Sequence, residues 1–486
     1  MKLTKSPSIL VLPALLLAIC WTLSDCNDGE QPGGTGPEES EVVARALPDM
    51  TVAIVGDSVV GPIFERQWAA SHDSKITIVD VNPEEFIAGD FELAEQVDVI
   101  IYPPAMIGEL VSRRRIEEVP GRIWSDTEHV NNRELLRHSR RTLVTFKKSV
   151  FAVPLGSPVA SLMYRQDVLD AIDAGIPQSW EEFDRVVSKL VDAQTIRGEG
   201  GQDLPTDVQL PLAEGRAAQM LLVRVAPYVR ARGQTSTIFD RDTMDPLIES
   251  EPFVRALSEL KTIIRDVQPD EIRSAEEVFL NIVSGQSAMA ICWPSAAFPQ
   301  DDIDALDSIG ITRIPGSPDY FNPRDGWLER PGDDSPHVDV IGFDGLVASL
   351  WSDSPNALAA HELLRWLPAK MNSVKACPPS VNSGPFRASH LGNPQQWTGK
   401  AVSSAAAQQY ADTLRACNEA SVSFIFPRIP GRMEYLNALN EAVLSCLKGD
   451  VEPEEALKNA ADKWREITNS RGPAVQSQAL KNSQGI

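Results

Sequence analysis

The chain has 486 residues, of which 43% are hydrophobic and 23% charged, a globular composition long enough for two or three domains or one two-lobed body. Its 45 basic and 68 acidic side chains give a formal charge of −23. No basic stripe with interleaved aromatic residues occurs, so we expect no nucleic acid partner.

The N-terminus has the pattern of an export signal, which we assign to residues 1–26. Lys2 and Lys5 precede an apolar segment from Ile9 to Ile19. That segment has the length of a signal-peptide core and is too short for a membrane span. No later segment approaches transmembrane length. We therefore expect an exported protein, located in the periplasm or at the cell surface.

Cys20 and Cys26 follow this segment, and each resembles the lipidated cysteine of a bacterial lipobox. Ile19 and Asp25 stand where a lipobox has a small residue, so simple secretion is the alternative. Cys20 directly adjoins the apolar segment, which favours it over Cys26 for lipidation. Residues 27–47 are polar, acidic and rich in Gly and Pro, which predicts a flexible tether between a membrane anchor and the folded body.

Strand and helix patterns alternate in the next hundred residues. TVAIVG from Thr51, KITIVDV at Lys75–Val81 and DVIIYPP from Asp98 predict strands, with helical patterns between them. VFAVPLG at Val150–Gly156 predicts another strand. Strands that alternate with helices indicate a parallel sheet with both faces covered, so we predict an α/β fold.

Further elements follow Ser179, which forms an S-x-x-E capping box with Glu182 ahead of a helical face. The stretch SGQSAMAICWPS predicts a turn and a buried strand that ends at Pro294. Trp293 is thereby placed at the carboxyl end of a strand, where open α/β sheets bind ligands. MEYLNALNEAVLSCLKG and PEEALKNAADKWREIT predict the last two helices, and the polar residues 471–486 are predicted to be disordered.

Four segments resemble, in the correct order, motifs of the extracellular solute-binding proteins of bacterial ABC importers, sugar-binding family 1, which includes maltose receptors. FAVPLG is followed by YRQD at Tyr164–Asp167, GIP at Gly175–Pro177 and SWEE at Ser179–Glu182. FLNIVSGQSAMAICWPS, NALAAHELLRWL and FPRIPGRMEYLNALNEAVLSCLKG complete the set. The resemblance covers most of residues 48–470, and the acidic segment 316–340 has no clear counterpart.

The resemblance implies a two-lobed periplasmic-binding-protein fold of type II, with strands that cross between the lobes. By analogy, residues 48–152 and 303–366 form the first lobe, and residues 153–302 and 367–470 form the second. A ligand is then enclosed between the lobes, and the closed form docks on an ABC permease. A receptor that presents its ligand to a sensor kinase is an alternative that the sequence does not distinguish.

Two tryptophans are candidates for stacking on the apolar face of a sugar ring. Trp293 lies at a strand end, and Trp327 lies in the polar loop RDGWLERPG. Their structural alternatives are that Trp293 caps the core and that Trp327 packs the loop onto a lobe. We therefore predict a sugar or oligosaccharide ligand, with polyamines as the alternative that the acidic composition allows. We expect a monomer with no cofactor and no metal.

Five more residues complete the predicted ligand site. Asp57 and Ser58 follow the first strand, where they bond hydroxyl groups or cap a helix. Arg428 in FPRIPG suits vicinal hydroxyls or a carboxylate, with a structural salt bridge as the alternative. Ser157 lies at the expected crossover, and Tyr164 faces either the cleft or a structural turn.

A hydrolase is the rival interpretation. GDSVVG resembles the nucleophile block of GDS-type (SGNH) esterases with Ser58 as nucleophile, and Asp334 with His337 has the D-x-x-H spacing of their acid and base. The G-x-N-D block of that family is missing, and a long segment follows His337 where such a domain normally ends. We therefore expect a binding protein and not an enzyme.

Four cysteines remain after the export signal. Cys292 and Cys446 fall in a predicted strand and a predicted helix and fit core positions. Because export permits disulfides, Cys377 with Cys417 is the pair that we would test first.

Overall fold

The computed structural model describes residues 46–93, 95–193, 195–267, 272–332, 335–373 and 382–485. Cys20, Cys26, Asp334 and Cys377 lie outside these ranges. Four predictions therefore involve residues outside the described ranges and stay predictions. They are the export signal, most of the tether, the lipidation site and the Cys377–Cys417 disulfide.

The described chain alternates between short strands and helices. Its strands are β1 Met50–Val55, β2 Ile76–Val81, β3 Val99–Tyr102, β4 Thr145–Phe146, β5 Ser149–Val150, β6 Val153–Gly156, β7 Ser161–Arg165, β8 Ile196–Arg197, β9 Asp203–Leu204, β10 Val208–Gln209, β11 Met289–Cys292, β12 Ile309–Arg313, β13 Asp319–Asn322, β14 Gly326–Glu329, β15 Asp339–Ile341, β16 Leu346–Leu350 and β17 Ser423–Ile425. Its α-helices are α1 Gly61–Ala69, α2 Pro83–Ala88, α3 Ile107–Ser112, α4 Gly121–Trp124, α5 Gln166–Ala171, α6 Trp180–Asp192, α7 Arg216–Val229, α8 Glu251–Val267, α9 Ala275–Val283, α10 Ala357–Trp366, α11 Gln395–Thr398, α12 Ser404–Glu419, α13 Arg432–Leu447, α14 Pro453–Arg471 and α15 Pro473–Gln484.

The first large sheet has five strands in the order β2-β1-β3-β16-β6. β1 runs parallel to β2 and β3, and β16 pairs antiparallel with β3 and β6. Val52 and Ile54 of β1 pack into one apolar cluster, whereas Ala53 and Val55 pack into another on the opposite face. Because side chains alternate along a strand and both faces are covered, the strand is apolar from Val52 to Val55. The predicted α/β fold is confirmed.

The second large sheet has four strands in the order β10-β11-β7-β12. β7 lies antiparallel to both β11 and β12. β11 is the buried strand that the stretch SGQSAMAICWPS predicts. Met289 and Ile291 pack into one apolar cluster, and Ala290 and Cys292 pack into another. This sheet is therefore also buried on both faces.

The chain crosses between the two sheets directly after β6. Gly156 ends β6, and a Cβ atom there would lie 2.5 Å from the Cα atom of Ser383, so the close backbone approach requires glycine. β6 belongs to the first sheet and β12 to the second, whereas the sequence assigned residue 153 onward to the second lobe and residues 303–366 to the first. We propose that the crossings lie after Gly156 and between Arg313 and Leu346, because strand pairing rather than chain order decides which lobe a strand joins.

The last segment of the chain corrects a prediction. Residues 471–486 were expected to be disordered, but Pro473–Gln484 forms α15. Proline is well suited to the first turn of a helix, and Ala479 and Leu480 are buried in the large apolar cluster on the second sheet. Gln476 and Ser477 are also buried and donate to the carbonyl oxygens of Pro430 and Arg241, so polar as well as apolar side chains dock this helix.

Candidate functional site

A cleft of about 1130 Å³ separates elements of the first sheet from elements packed on the second. Its first wall is formed by α2 and by the connection from β3 into α3, including Ile87, Phe91, Met106 and Glu109. These segments follow the carboxyl ends of β2 and β3, the edge at which open parallel sheets bind ligands. Asn82 caps α2 by accepting hydrogen bonds from two backbone N–H groups, which fixes this wall.

The second wall comes from three segments that are distant in the sequence. It contains the start of α7 with Arg216 and Gln219, the pair Phe343 and Asp344 after β15, and the first turns of α13. α7 and α13 pack into the same apolar cluster as β7 and β11. The cleft therefore lies between the bodies that carry the two sheets.

Arg216, Gln219 and Asp344 form a polar group on the second wall. Arg216 Nη1 donates to Asp344 Oδ2 at 2.8 Å and to Gln219 Oε1 at 2.6 Å. Gln219 Nε2 donates to Asp344 Oδ2 at 3.3 Å. The Arg216 guanidinium also lies 4.4 Å from the centroid of the Trp293 ring. The charge of Arg216 is thus paired within its own wall, and its position is set by the indole below it.

Glu109 connects the two walls at one end of the cleft. Its Oε1 accepts a hydrogen bond of 2.6 Å from the backbone N–H of Gly431, and its Oε2 lies 3.3 Å from Arg113 Nε. Burial raises the pKa of Glu109, although the Gly431 N–H and Arg113 oppose this effect. A Cβ atom on the neighbouring Gly108 would overlap the carbonyl oxygen of Arg428. The walls therefore meet here at backbone distance.

Aromatic rings line both walls of the cleft. Phe91 lies on the first wall, but its side chain is 3% exposed and the Arg113 guanidinium lies 5.0 Å from its ring centroid. Phe343 is half-buried on the second wall, with the Arg432 guanidinium 4.9 Å from its ring centroid. Burial lowers the pKa of Arg432 to about 9, and its Nη1 donates to the Phe426 carbonyl oxygen at 2.7 Å. The half-buried ring of Phe343 suits a ligand with an apolar face and polar edges.

Trp293 lies beside this cleft but is not among the residues that line it. Its side chain is 4% exposed and belongs to the apolar cluster on the second sheet. Arg216, which does line the cleft, covers the ring. Of the two roles that the sequence allowed for Trp293, capping the core agrees with this position.

Trp327 also lies away from the cleft. It belongs to the β13–β14 hairpin, where its Nε1 donates to Glu251 at 2.8 Å. Its ring meets the rings of Tyr228 and Phe321 edge-on, with centroids 5.6 Å apart in each case. The acidic segment 316–340 thus packs a hairpin onto α7 and α8. This position agrees with the structural alternative, in which Trp327 packs the loop onto a lobe.

Asp57, Ser58 and Ser157 lie near the crossing between the sheets. Asp57 is buried and accepts hydrogen bonds of 3.2 Å from the Val59 N–H and from Asn382 Nδ2. Ser58 is exposed, whereas Ser157 is buried just after β6. None of the three lines the cleft described above.

Tyr164 and Arg428 are buried within the body of the protein. Tyr164 lies in β7 with its ring directly against Gly310 of β12. Arg428 is 2% exposed, and its Nη1 donates to the Thr142 carbonyl oxygen at 2.7 Å while Nη2 donates to that of Ser483 at 3.2 Å. Arg428 therefore binds backbone carbonyls rather than the carboxylate expected of a salt bridge.

The esterase arrangement is not assembled among the residues that the structure describes. Ser58 follows β1 in the first sheet, and His337 Nδ1 lies 2.8 Å from the Ile314 carbonyl oxygen next to β12 of the second. Burial lowers the pKa of His337. Asp334 lies outside the described residues. Ser58 and His337 form no hydrogen bond with each other, which the nucleophile and base of a triad require.

The sequence did not single out Arg216, Gln219, Asp344 or Glu109. Two local patterns are present at these positions. Arg216 directly follows Gly215 at the start of an apolar helix, and Asp344 comes shortly after a short strand. Neither pattern is specific, since only the fold brings these segments together. Within the described ranges, no helix combines the length and apolarity needed to span a bilayer, and no three His, Cys, Asp or Glu side chains are grouped to hold a metal ion.

The chain has the two-lobed α/β fold of solute-binding proteins of ABC transporters. A solute-binding protein from Agrobacterium radiobacter K84, solved with ribitol, matches with a TM-score of 0.65 and 17% identity over 87% of this chain and 98% of that one. The maltose-bound MalE3 of T. maritima matches with a TM-score of 0.62 and 16% identity over 86% and 100%.

A third similar structure, a solute-binding protein from Agrobacterium vitis S4 with bound D-mannitol, has a TM-score of 0.62 and 15% identity over 87% of this chain and 99% of that one. No protein-family model matches the chain, and no curated protein matches it significantly. At these identities the similarity establishes the fold, and the fold inferred from the four sequence motifs is confirmed.

Proposed function

We propose that this chain is an exported solute-binding protein that captures a sugar or polyol between its lobes and delivers it to an ABC permease. The observation that carries the proposal is the cleft between the two sheet-bearing bodies, with the half-buried side chains of Ile87 and Phe343 on its opposite walls. The ligands named for similar structures, which are maltose, ribitol and D-mannitol, are neutral and rich in hydroxyl groups. Lipidation at Cys20, or at Cys26, would hold the protein at the membrane.

Capture follows from contacts with both walls. A ligand that touches Ile87 on one side and Phe343 on the other binds the closed arrangement better than the open one. Only this difference in affinity shifts the equilibrium towards closure. Asn437, which is exposed, supplies an amide group to the cleft, and an amide suits hydroxyl groups at the edge of a sugar ring.

The direct test is calorimetric titration of the purified protein with maltose, ribitol and D-mannitol, and with spermidine as a cationic comparison. We expect at least one neutral ligand to bind and spermidine to give no heat. Phe343→Ala should weaken that binding by about tenfold, since a lost ring contact is worth roughly 1 kcal/mol or more. The matched control is Phe321→Ala, which removes a ring from the outer hairpin.

Three results would contradict the proposal. They are binding of spermidine alone, equal loss of affinity in the two phenylalanine variants, and hydrolysis of short acyl esters that disappears in Ser58→Ala. Copurification of a permease with the tagged protein tests the transport step separately from ligand binding.

A further inference from the structure

A second cavity, of about 500 Å³, lies away from the cleft and shares no lining residue with it. Six cationic side chains line it: Arg137, Arg141, Lys147, Lys148, Arg230 and Arg428. None of the described aspartates or glutamates lines it, although the chain carries a formal charge of −23. We name it the basic cavity. Such a concentration of one charge in an acidic protein is unfavourable unless a counter-charge occupies it.

Two of the six cations, the buried Arg428 and the half-buried Arg230, have no carboxylate partner among the described residues. Arg428 is 2% exposed, and its Nε is buried with no hydrogen-bond partner among the described residues. Arg230 donates from Nε to the Ser423 carbonyl oxygen at 3.2 Å. Burial lowers the pKa of both arginines, and no carboxylate contributes to raising it. Buried guanidinium groups normally pair with anions, so Arg428 is left incomplete.

The mouth of the basic cavity is formed by exposed cations. Lys147 and Lys148 occupy the two-residue turn between β4 and β5, with φ angles of 49° and 67°. A hairpin turn with two positive φ angles favours Asn-Gly, and two lysines there are strained. The Lys147 backbone N–H donates to the Asn482 carbonyl oxygen of α15, which holds the turn against the cavity. The turn thus places two positive charges at the cavity, whereas the favoured sequence Asn-Gly would place none there.

We propose that the basic cavity binds a small multivalent anion of the phosphate class. Arginine binds phosphate oxygens through paired N–H donors, and lysine adds a point charge. The buried arginines contact the anion from within, and the exposed cations close over it. The same chemistry serves free phosphate and the phosphate of a lipid headgroup.

The test measures binding of inorganic phosphate by calorimetry at low millimolar concentration, with potassium chloride at equal ionic strength as the reference. A binding measurement is needed because phosphate at high concentration also stabilises proteins by exclusion from their surface. The variant is Lys147→Asn/Lys148→Gly, which removes two charges and supplies the residues that this turn favours. We expect it to be at least as stable as the wild type without phosphate and to bind phosphate about tenfold more weakly or worse.

The matched control is Lys458→Gln/Lys463→Gln, which removes two exposed lysines from α14, outside the basic cavity. It makes the same change in net charge and should leave phosphate binding unaltered. Arg230→Gln should also weaken phosphate binding while sugar or polyol binding in the cleft is unchanged. Equal losses in the control and in the turn variant would overturn the proposal.

A second arm uses sedimentation with vesicles of anionic phospholipid or of phosphatidylcholine alone. Binding to anionic vesicles that the turn variant loses and the control keeps identifies the lipid headgroup as the source of the phosphate. If the wild type binds neither free phosphate nor anionic vesicles, the proposal is wrong.

Discussion

Asp126 accepts hydrogen bonds from two backbone groups of the loop after α4 and from one side chain of helix α10. Its carboxylate accepts from the backbone N–H groups of Glu128 and His129 at 2.9 Å each, and from Arg365 Nε at 2.8 Å. Burial raises the pKa of Asp126, but these donors outweigh it and lower the pKa to about 2. The folded state therefore favours the charged form.

Asp126→Asn should lower the free energy of unfolding by about 1 to 3 kcal/mol near neutral pH, because charge-assisted hydrogen bonds are lost. Since the pKa is lowered on folding, the contribution of Asp126 is present above its unfolded value near 3.8 and disappears as the pH falls towards 2. Urea unfolding at pH 6 and pH 3 should show the difference between wild type and variant shrinking. Asp412→Asn, at an exposed ion pair, is the control and should change little at either pH.

At the level of single elements, the sequence predicted some helix N-termini correctly. Ser179 and Glu182 form the capping box that the sequence predicts, and Ser274 with Glu277 forms another. Ser354, which precedes Pro355, donates from Oγ to the buried Asp98 and also accepts from the Asn356 backbone N–H at 3.1 Å, and α10 begins at Ala357. One hydroxyl group thus bonds both to a neighbouring backbone group and to a distant carboxylate.

Ser179→Ala should lower the free energy of unfolding by about 1 kcal/mol, because the backbone N–H of Glu182 in the first turn of α6 loses its acceptor. Ser188→Ala in the same helix removes an exposed hydroxyl that bonds only within the helix. Guanidinium unfolding of the two variants gives the comparison. Equal stability of the two would show that the capping box contributes nothing measurable.

The β13–β14 hairpin depends on Trp327 for its attachment to α7 and α8. Trp327→Ala should destabilise the protein by about 2 to 4 kcal/mol through the loss of ring contacts with Tyr228 and Phe321. Affinity for the cleft ligand should not change, because Trp327 does not line the cleft. A large loss of affinity in a variant that remains folded would restore the ligand role that the sequence suggested.

At the scale of the whole molecule, we expect ligand binding to close the cleft. Small-angle scattering should show a smaller radius of gyration with the ligand identified by calorimetry than without it. At a hundredfold excess over its dissociation constant, that ligand should add about 2.7 kcal/mol to the stability of the folded state. A radius that stays constant while the ligand binds would show that the two walls do not move.

The sequence by itself determined the class of fold and the order of most elements. The reason is that buried strands, helical faces and capping boxes are local patterns, as β1 and α6 illustrate. Four motifs in order were then sufficient to indicate two lobes, and the structural matches confirm that fold.

Only the tertiary structure decided which side chains line the cleft. Arg216, Asp344 and Glu109 come from three separate segments, and no local pattern distinguishes them from surface charges. Trp293 lies at the predicted strand end, yet Arg216 from another helix covers it. A side chain's depth is set by what other segments place above it, and that is a property of packing rather than of neighbouring residues.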